Sequence, residues 1–347
     1  MTRSANRPMP RLSIGLPVYN GEALLPQALD HLLVQTFSDF EIIICDNAST
    51  DRTAQICRDY SSLDARIRYF RNDRNLGSVA NFNRGFELSA APLFKWAAHD
   101  DLYDRKYLAA CIQLLDEDST VVLAHTGTAF IDEDGEPFPY DPDSGTYLDL
   151  KTNVRQTPDS PTIGDDRIAA KRFWQVLSGA RWGTHMFGVI RREALLRTRL
   201  QHNFAGGDRA MLAELALVGR FRCAPERLFL KRFHAGVSWA LSQRELRSFL
   251  STDGKAYWRR ARQIKAYFTA PIGKPVGMAT KATCTALVAV HCTKIAAHAL
   301  ARTDARNAEQ GKIWRDRTNG AAGSVQNPTT TSRRDERSLP ARTAVPR

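Results

Sequence analysis

The chain predicts an α/β fold with a mostly parallel central sheet, flanking helices and a helical C-terminal extension. Three observations carry this expectation. Strand-like and helix-like runs alternate over residues 12–125. The run Glu41-Ile42-Ile43-Ile44-Cys45 is continuously apolar after its first residue, as in a strand covered on both faces. Polar clusters stand where the apolar runs stop, and ligands of open parallel sheets bind beyond those ends.

The elements follow in order. Residues 12–16 are a short apolar run ended by Pro17, hence a strand. Residues 24–35 space Leu24, Leu25, Ala28, Leu29, Leu32 and Leu33 as a helix does. Asp46 closes the second strand; a polar turn over 47–51 leads into a helix reaching about Tyr60. Residues 67–70 form a third strand, 77–88 a helix, 93–97 a fourth strand and 121–125 a fifth. This alternation argues for parallel strands with helices on both faces. Residues 135–165 are rich in Pro, Gly, Asp and Thr and are expected to form a long excursion or lid. Helix is expected over 168–177, strand over 185–190, helix over 208–218, and mainly helix beyond about 245. Residues 1–10 read as a flexible arm. Residues 318–347 have few large apolar side chains and are expected to be disordered.

With 43% hydrophobic residues the chain can bury a sizeable core. Its net charge of +12 is uneven: residues 241–347 hold 20 Lys and Arg against 7 Asp and Glu, so the basicity belongs to the C-terminal third. Such a segment suits an anionic lipid surface or simple solvation; nucleic acid is not expected, because no nucleic-acid motif accompanies the charge. None of the six cysteines forms a Cys-x-x-Cys pair, which fits reduced thiols and a cytoplasmic location. The polar start has no apolar stretch behind it, so no secretory signal is expected. The most apolar late segment, between Lys281 and Lys294, is shorter than the ~20 residues a spanning helix needs. Peripheral contact with the inner face of an anionic membrane is the further expectation.

Three clusters mark strand ends: Pro17-Val18-Tyr19-Asn20, Asp46-Asn47 and His99-Asp100-Asp101. Asp46 and Asn47 have a bland alternative as helix caps. Adjacent carboxylates such as Asp100 and Asp101 repel unless a cation or proton lies between them. Mg²⁺ and Mn²⁺ take such oxygen ligands together with substrate phosphates; an exposed Asp-Asp turn is the alternative.

The segment Leu12-Ser-Ile-Gly-Leu-Pro-Val-Tyr-Asn20, followed by Glu41-Ile-Ile-Ile-Cys-Asp-Asn-Ala-Ser-Thr-Asp51, resembles the opening of the family 2 glycosyltransferases. Asn75-Leu-Gly77, Asn83-Arg-Gly85 and the Asp-Asp pair follow in that family's order. The resemblance covers roughly residues 10–240. It implies a GT-A fold, inverting transfer from a nucleotide-activated sugar, and Mg²⁺ or Mn²⁺ as cofactor. It also implies roles. Pro17, Tyr19 and Asn20 match the loop that packs against base and ribose, with Glu22 beside it. Asp46 matches the carboxylate that accepts a hydrogen bond from the base, which favours UDP or dTDP. Asp100 matches a group on the ribose side and the metal, and Asp101 a metal ligand. Many members carry Asp-x-Asp-Asp where this chain has Ala98-His99-Asp100-Asp101.

The segment Phe204-Ala-Gly-Gly-Asp-Arg-Ala-Met-Leu212 resembles the family's Glu-Asp segment at a helix start, with Gly207 in place of the acidic neighbour. Asp208 is the implied catalytic base, taking the acceptor's proton; a mere helix cap is the alternative. Lys231-Arg-Phe-His234 resembles the basic segment closing the catalytic region, which brings His234 to the metal and Arg232 to the diphosphate. Trp182, near Gly183 and His185, is a candidate platform for the acceptor sugar. The implied catalytic domain is 11–240, with a nucleotide-sugar half (11–132) and an acceptor half (133–240), followed by a basic helical extension over 241–317. The expected partners are a nucleotide-sugar donor and a glycan or lipid-linked acceptor of the cell envelope. No Gln-x-x-Arg-Trp motif is present, so one sugar per encounter is expected. Two rivals stand beside this: a nucleotidyltransferase, which usually carries a Gly-rich loop after its first strand, and a degenerate nucleotide- or membrane-binding protein.

Overall fold

A computed structural model describes residues 8–236, 241–250 and 259–301. The disorder expected over 318–347 lies outside them, as do residues 1–7 of the expected arm. Strands β1 (Leu12–Val18) and β2 (Phe40–Asp46) are buried along their whole length. Ile42, Ile43 and Ile44 are fully enclosed, each contributing ~1.5–3 kcal/mol of hydrophobic stabilisation. Between them α1 (Leu25–Leu33) starts with Pro26 in its first turn and buries Leu25, Ala28, Leu29 and Leu32, the stripe that its spacing predicts. Helix α2 (Thr53–Leu63), strand β3 (Ile67–Arg71), helix α3 (Ser78–Glu87) and strand β4 (Leu93–Trp96) complete the first half of the sheet.

The chain continues through β5 (Leu102–Tyr103), α4 (Tyr107–Glu117), β6 (Val121–Ile131), β7 (Tyr140–Asp141), β8 (Thr146–Asp149), β9 (Val154–Gln156), α5 (Ala169–Gly179), β10 (Val189–Arg191), α6 (Arg192–Leu195), α7 (Gly207–Val218) and β11 (Arg220–Arg232). Eight strands form one sheet in the order β3-β2-β1-β4-β10-β6-β11-β5. The pairs β3–β2, β2–β1, β1–β4 and β6–β11 are parallel; β10 runs antiparallel between β4 and β6, and β5 antiparallel at the β11 edge. The sheet therefore runs across the expected boundary between 132 and 133, because β10 and β11 interleave with strands of the first half.

Several local expectations are corrected. Strand β1 does not stop at Pro17 but continues to Val18, with Pro17 opposite Cys45. Pro17 faces the same side as Gly15, whose carbonyl accepts Ala97 N–H. On that side β4 has ended, so the missing proline N–H interrupts no ladder. Strand β6 runs six residues past the expected His125, to Ile131, because β11 pairs with it throughout. The expected excursion over 135–165 contains the three-stranded antiparallel sheet β7-β8-β9. It covers a second core of Phe130, Phe138, Tyr147 and Phe233. Instead of one strand over 185–190, Thr184–Phe187 is a 3₁₀ helix and only Val189–Arg191 is strand. The preceding N–H groups of Arg181, Trp182 and Thr184 are bound to the Asp159 carboxylate and are unavailable to a ladder.

Helix α3 approaches β1 at Gly15 and Gly85. A Cβ on Gly85 would lie 3.2 Å from Gly15 Cα, so a side chain there would force helix and strand apart by a few tenths of an ångström. After β11 come α8 (Gln243–Leu250), α9 (Arg259–Thr269) and α10 (Met278–Ala301), the last longer than the segment between Lys281 and Lys294. Tyr267 of α9 and Cys284 and Val288 of α10 join the main core. Among the described residues no helix is long and apolar enough to cross a membrane.

The sheet encloses one lysine. Lys95 of β4 is fully buried; its Nζ donates to the Phe187 carbonyl and faces the rings of Tyr103 at 3.9 Å and Tyr107 at 4.5 Å. Burial pulls its ammonium down to about 7, with Cys111 and Asp101 opposing. Below that pH both folded and unfolded chains hold the proton, and the folded chain bears the full desolvation cost. Between 7 and the ordinary lysine value the unfolded chain binds one proton more, so stability rises with pH across this window. Lys95→Met is expected to remove that slope, about 1.4 kcal/mol per pH unit, in urea-unfolding series at pH 7 to 10. An unchanged slope would show that Lys95 is neutral, or charged, in both states.

Candidate active site

The carboxyl ends of β1, β2, β4 and β11 bring the singled-out residues to one edge of the sheet. Tyr19 and Asn20 follow β1. Tyr19 is 43% exposed and free to meet a planar ligand. Asn20 (φ 50°) and Glu22 are occupied with structure. Asn20 accepts the Thr50 N–H at 2.8 Å and Glu22 the Arg52 N–H at 3.0 Å, stitching the loop after β1 to the loop after β2. Pro17 lies inside the buried strand, behind this loop rather than in it.

Asp46 is fully buried at the end of β2. One oxygen accepts Ser49 N–H at 2.8 Å; the other accepts the Tyr69 hydroxyl at 2.8 Å and Arg71 at 3.0 Å. A base that uses Asp46 must displace one of these donors, and Arg71, the more exposed, is the easier to move. Tyr69 and Arg71, on the adjacent parallel strand β3, were not singled out in the sequence; their signal was their place at the end of the third strand. Asn47 does not cap α2. It binds Asn75 and Gly77 with its amide nitrogen and receives Asn72 and Leu76 with its oxygen, which fixes the loop before α3. Asp51, just before α2, accepts Thr53 N–H at 3.0 Å.

The Asp-Asp turn meets the end of β11. His234 Nε2 lies 2.9 Å from Asp100 Oδ2, and Arg232 N–H donates to Asp101 Oδ1 at 2.9 Å. Lys231 Nζ stands 3.9 Å from Asp101 Oδ2. Burial alone raises both carboxyls, but the two diverge. The His234 bond and the charges of His99, His234 and Lys231 hold Asp100 well below the usual carboxylate range. Burial, with Asp100 as a like charge, pushes Asp101 up to about 6 against Lys231.

Arg232 does not point at a diphosphate. It is buried, and its guanidinium donates to the carbonyls of Asp100 (2.8 Å), Asp132 (3.3 Å) and Glu133 (2.8 Å) and to Gln27 Oε1 (2.5 Å). Trp182 is half-buried. Its indole N–H donates to Thr157 O at 2.8 Å, and its ring lies edge-on to Phe130 and Phe233. His185 is buried against His125. Asp208 sits in the first turn of α7, beside Gly183 (φ +65°), where a Cβ would lie 2.4 Å from Asp208 Oδ2. Burial raises the Asp208 carboxyl; the backbone and charge of Arg209 oppose this and Asp159 adds to it. Successive contacts thus run from His234 through Phe233, Trp182 and Gly183 to Asp208.

Among the described residues no group of three or more His, Cys, Asp and Glu side chains is already arranged to hold a metal. The donor chemistry at Asp100 and Asp101 nevertheless suits a hard cation completed by phosphate oxygens. Asp101 Oδ2 accepts no hydrogen bond from a described residue, and Asp100 Oδ2 is free once His234 turns aside. Arg232→Met leaves three carbonyls and a carboxamide without their buried donor and is expected to cost at least about 2 kcal/mol in urea unfolding. A variant of normal stability that had lost nucleotide binding would return Arg232 to the ligand site.

Residues 13–173 match the family described as Glycosyl transferase family 2. An uncharacterized glycosyltransferase of Rickettsia typhi is 32% identical over 125 residues, which are 36% of this chain and 38% of that protein. The GalNAc(5)-diNAcBac-PP-undecaprenol beta-1,3-glucosyltransferase of Campylobacter jejuni is 26% identical over 212 residues, 60% of each chain. The match thus spans less than two thirds of either relative. The crystal structure of S. aureus TarS 1-349 superposes with a TM-score of 0.54 at 15% identity, over 91% of this chain and 75% of that one, a likeness of fold. Residues 13–173 of the chain therefore match a family 2 glycosyltransferase domain, on a GT-A-like fold.

Proposed function

We propose that this chain transfers a sugar from a nucleoside-diphosphate sugar, UDP- or dTDP-linked, to a glycan or lipid-linked acceptor of the cell envelope, inverting the anomeric centre and adding one sugar per encounter. The observation that carries the reading is the convergence of Tyr19, Asp46, Asp100, Asp101 and His234 at one sheet edge, with Asp208 linked to it through Trp182. The undecaprenol-linked acceptor named for the Campylobacter relative supports the acceptor class. We take 11–240 as the catalytic domain, 11–132 as its nucleotide-sugar half and 133–240 as its acceptor half, with 241–317 as a basic extension.

In this reading Tyr19 meets the base and Asp46 accepts its N–H in place of Arg71. Asp208 takes the proton of the acceptor hydroxyl while that oxygen bonds to the anomeric carbon. The bond from that carbon to the diphosphate oxygen breaks, and the nucleoside diphosphate leaves from the opposite face. A base whose proton affinity is raised lies nearer to neutral pH, where general-base catalysis is most effective. Mg²⁺ or Mn²⁺, held by Asp101 and Asp100 with His234 nearby, would supply charge neutralisation at the departing diphosphate. Lys231 adds positive charge at the same place.

Thermal shifts with UDP, dTDP, GDP and CMP, each with and without Mn²⁺, test the donor class, since a ligand of the folded state raises its stability. A shift by UDP or dTDP that needs the metal and vanishes in Asp101→Asn is the expected result; no shift with any nucleotide would sink the transferase reading. Asp208→Asn is expected to keep the nucleotide shift and lose transfer, and equal loss of both would make Asp208 structural. The basic extension further suggests a cytoplasmic protein held at the inner face of an anionic membrane. Co-flotation with anionic vesicles at low salt, lost at high salt, is expected, and protein left wholly in the soluble fraction would end that idea.

A further inference from the structure

One buried carboxylate next to the site has no part in the reaction as described. The Asp159 side chain is 1% exposed. Its Oδ1 accepts the N–H groups of Arg181 at 2.7 Å and Trp182 at 3.0 Å. Its Oδ2 accepts the N–H and the hydroxyl of Thr184, both at 3.3 Å, and lies 3.6 Å from His185 Nδ1. The carboxylate is the centre around which the 181–184 turn is wound. That turn presses the Gly183 backbone against Asp208, as the 2.4 Å gap left for a Cβ records, and lays Trp182 on Phe130 and Phe233.

We propose that Asp159 is a positioning residue for Asp208: it folds the 181–184 turn against the base and stands beside it as a second negative charge. The proposal rests on reading Asp208 as the base. Removing Asp159 would release both the turn that seats Asp208 and the Trp182 platform beside it. A neighbouring carboxylate also disfavours ionisation of Asp208, in the direction that burial already sets. The other groups facing Asp208 are Arg209 on α7, which opposes Asp159, and Tyr267 on α9. His291 on α10 faces Arg209, and His185 with His125 lies behind Asp159. Asp159 is the carboxylate among the main influences on Asp208, so its effect can be read by removing its charge alone.

The test is a carbon NMR titration of the full chain labelled at aspartate carboxyls, without donor or acceptor, with Asp208 assigned by its absence from Asp208→Asn. In the wild type the Asp208 midpoint is expected above that of exposed aspartates. Asp159→Asn, which keeps an acceptor oxygen for the turn, is expected to lower it by at least about half a pH unit. The acid limb of transfer should move the same way, with the donor KM unchanged. A wild-type midpoint in the ordinary range overturns the proposal, even where Asp159→Asn does not fold. A folded Asp159→Asn with an unmoved midpoint overturns it too. The titration needs no turnover, so a shifted midpoint in a chain that transfers nothing would sink the functional reading and leave the coupling standing.

Discussion

Arg232 closes the sheet at the point where ligand chemistry is gathered. A buried guanidinium must satisfy its donors inside the protein, because an unpaired one costs several kcal/mol. Here the partners come from three places: the Asp-Asp turn after β4, the end of β6 and Gln27 of α1. The same residue's N–H holds Asp101. One side chain therefore fixes the relative position of elements whose sequence positions span more than 200 residues, and it anchors the backbone of the carboxylate pair from behind. Removing Arg232 would loosen the site by loosening the fold.

That anchoring explains the division of labour between the two carboxylates. Asp100, bonded to His234, stays ionised; Asp101, the more buried, holds its proton more firmly. Two equal charges in adjacent positions would repel, and the asymmetry of their partners relieves this. A cation arriving with a diphosphate would meet one carboxylate ready-ionised and a second that ionises as positive charge comes near. In the proposed reaction Lys231, His234 and Asp101 would act as one electrostatic unit beside the charge of the leaving group.

Much of this was legible in the sequence, for identifiable reasons. The isoleucine run of β2 and the helical spacing of α1 report burial directly, and strand ends follow from where apolar runs stop. Asp46, Asp100, Asp101 and His234 were singled out because they sit at such ends, within motifs that resemble a known family, and the fold brings them to one edge of the sheet. Arg232 was assigned to the ligand because no local pattern distinguishes a buried arginine from an exposed one; its partners are more than 90 residues away. Lys95 read as part of an apolar strand, and the Tyr103 and Tyr107 rings that enclose it belong to later elements. Asp159 lies in a Pro- and Asp-rich stretch without period. Its role depends on a turn over twenty residues on, which only the folded chain brings back.

The C-terminal helices are a further case in which composition misleads about place. Their basic charge suggests a solvated appendage, yet the fully buried Glu214 of α7 draws one of its partners from them. Arg199 donates to Glu214 Oε1 at 2.5 Å, Lys274 Nζ lies 3.0 Å from Oε2, and His202 Nε2 3.4 Å from Oε1. Burial works against the charge, but these three partners pull the carboxyl down to about 2. Lys274 lies between α9 and α10, and Arg199 also binds Thr269 at the end of α9. An unpaired carboxylate in that position would be strongly destabilising; Lys274 of the extension supplies one of its three partners, and the contact of Arg199 with Thr269 ties a second to α9. Because Asp208 occupies the first turn of the same helix, and Tyr267 of α9 stands next to Arg209, residues 259–301 form part of the wall that holds the proposed base. The extension is then a structural component of the wall around Asp208, and in the proposed reading any membrane contact of its outer face would orient that wall as well.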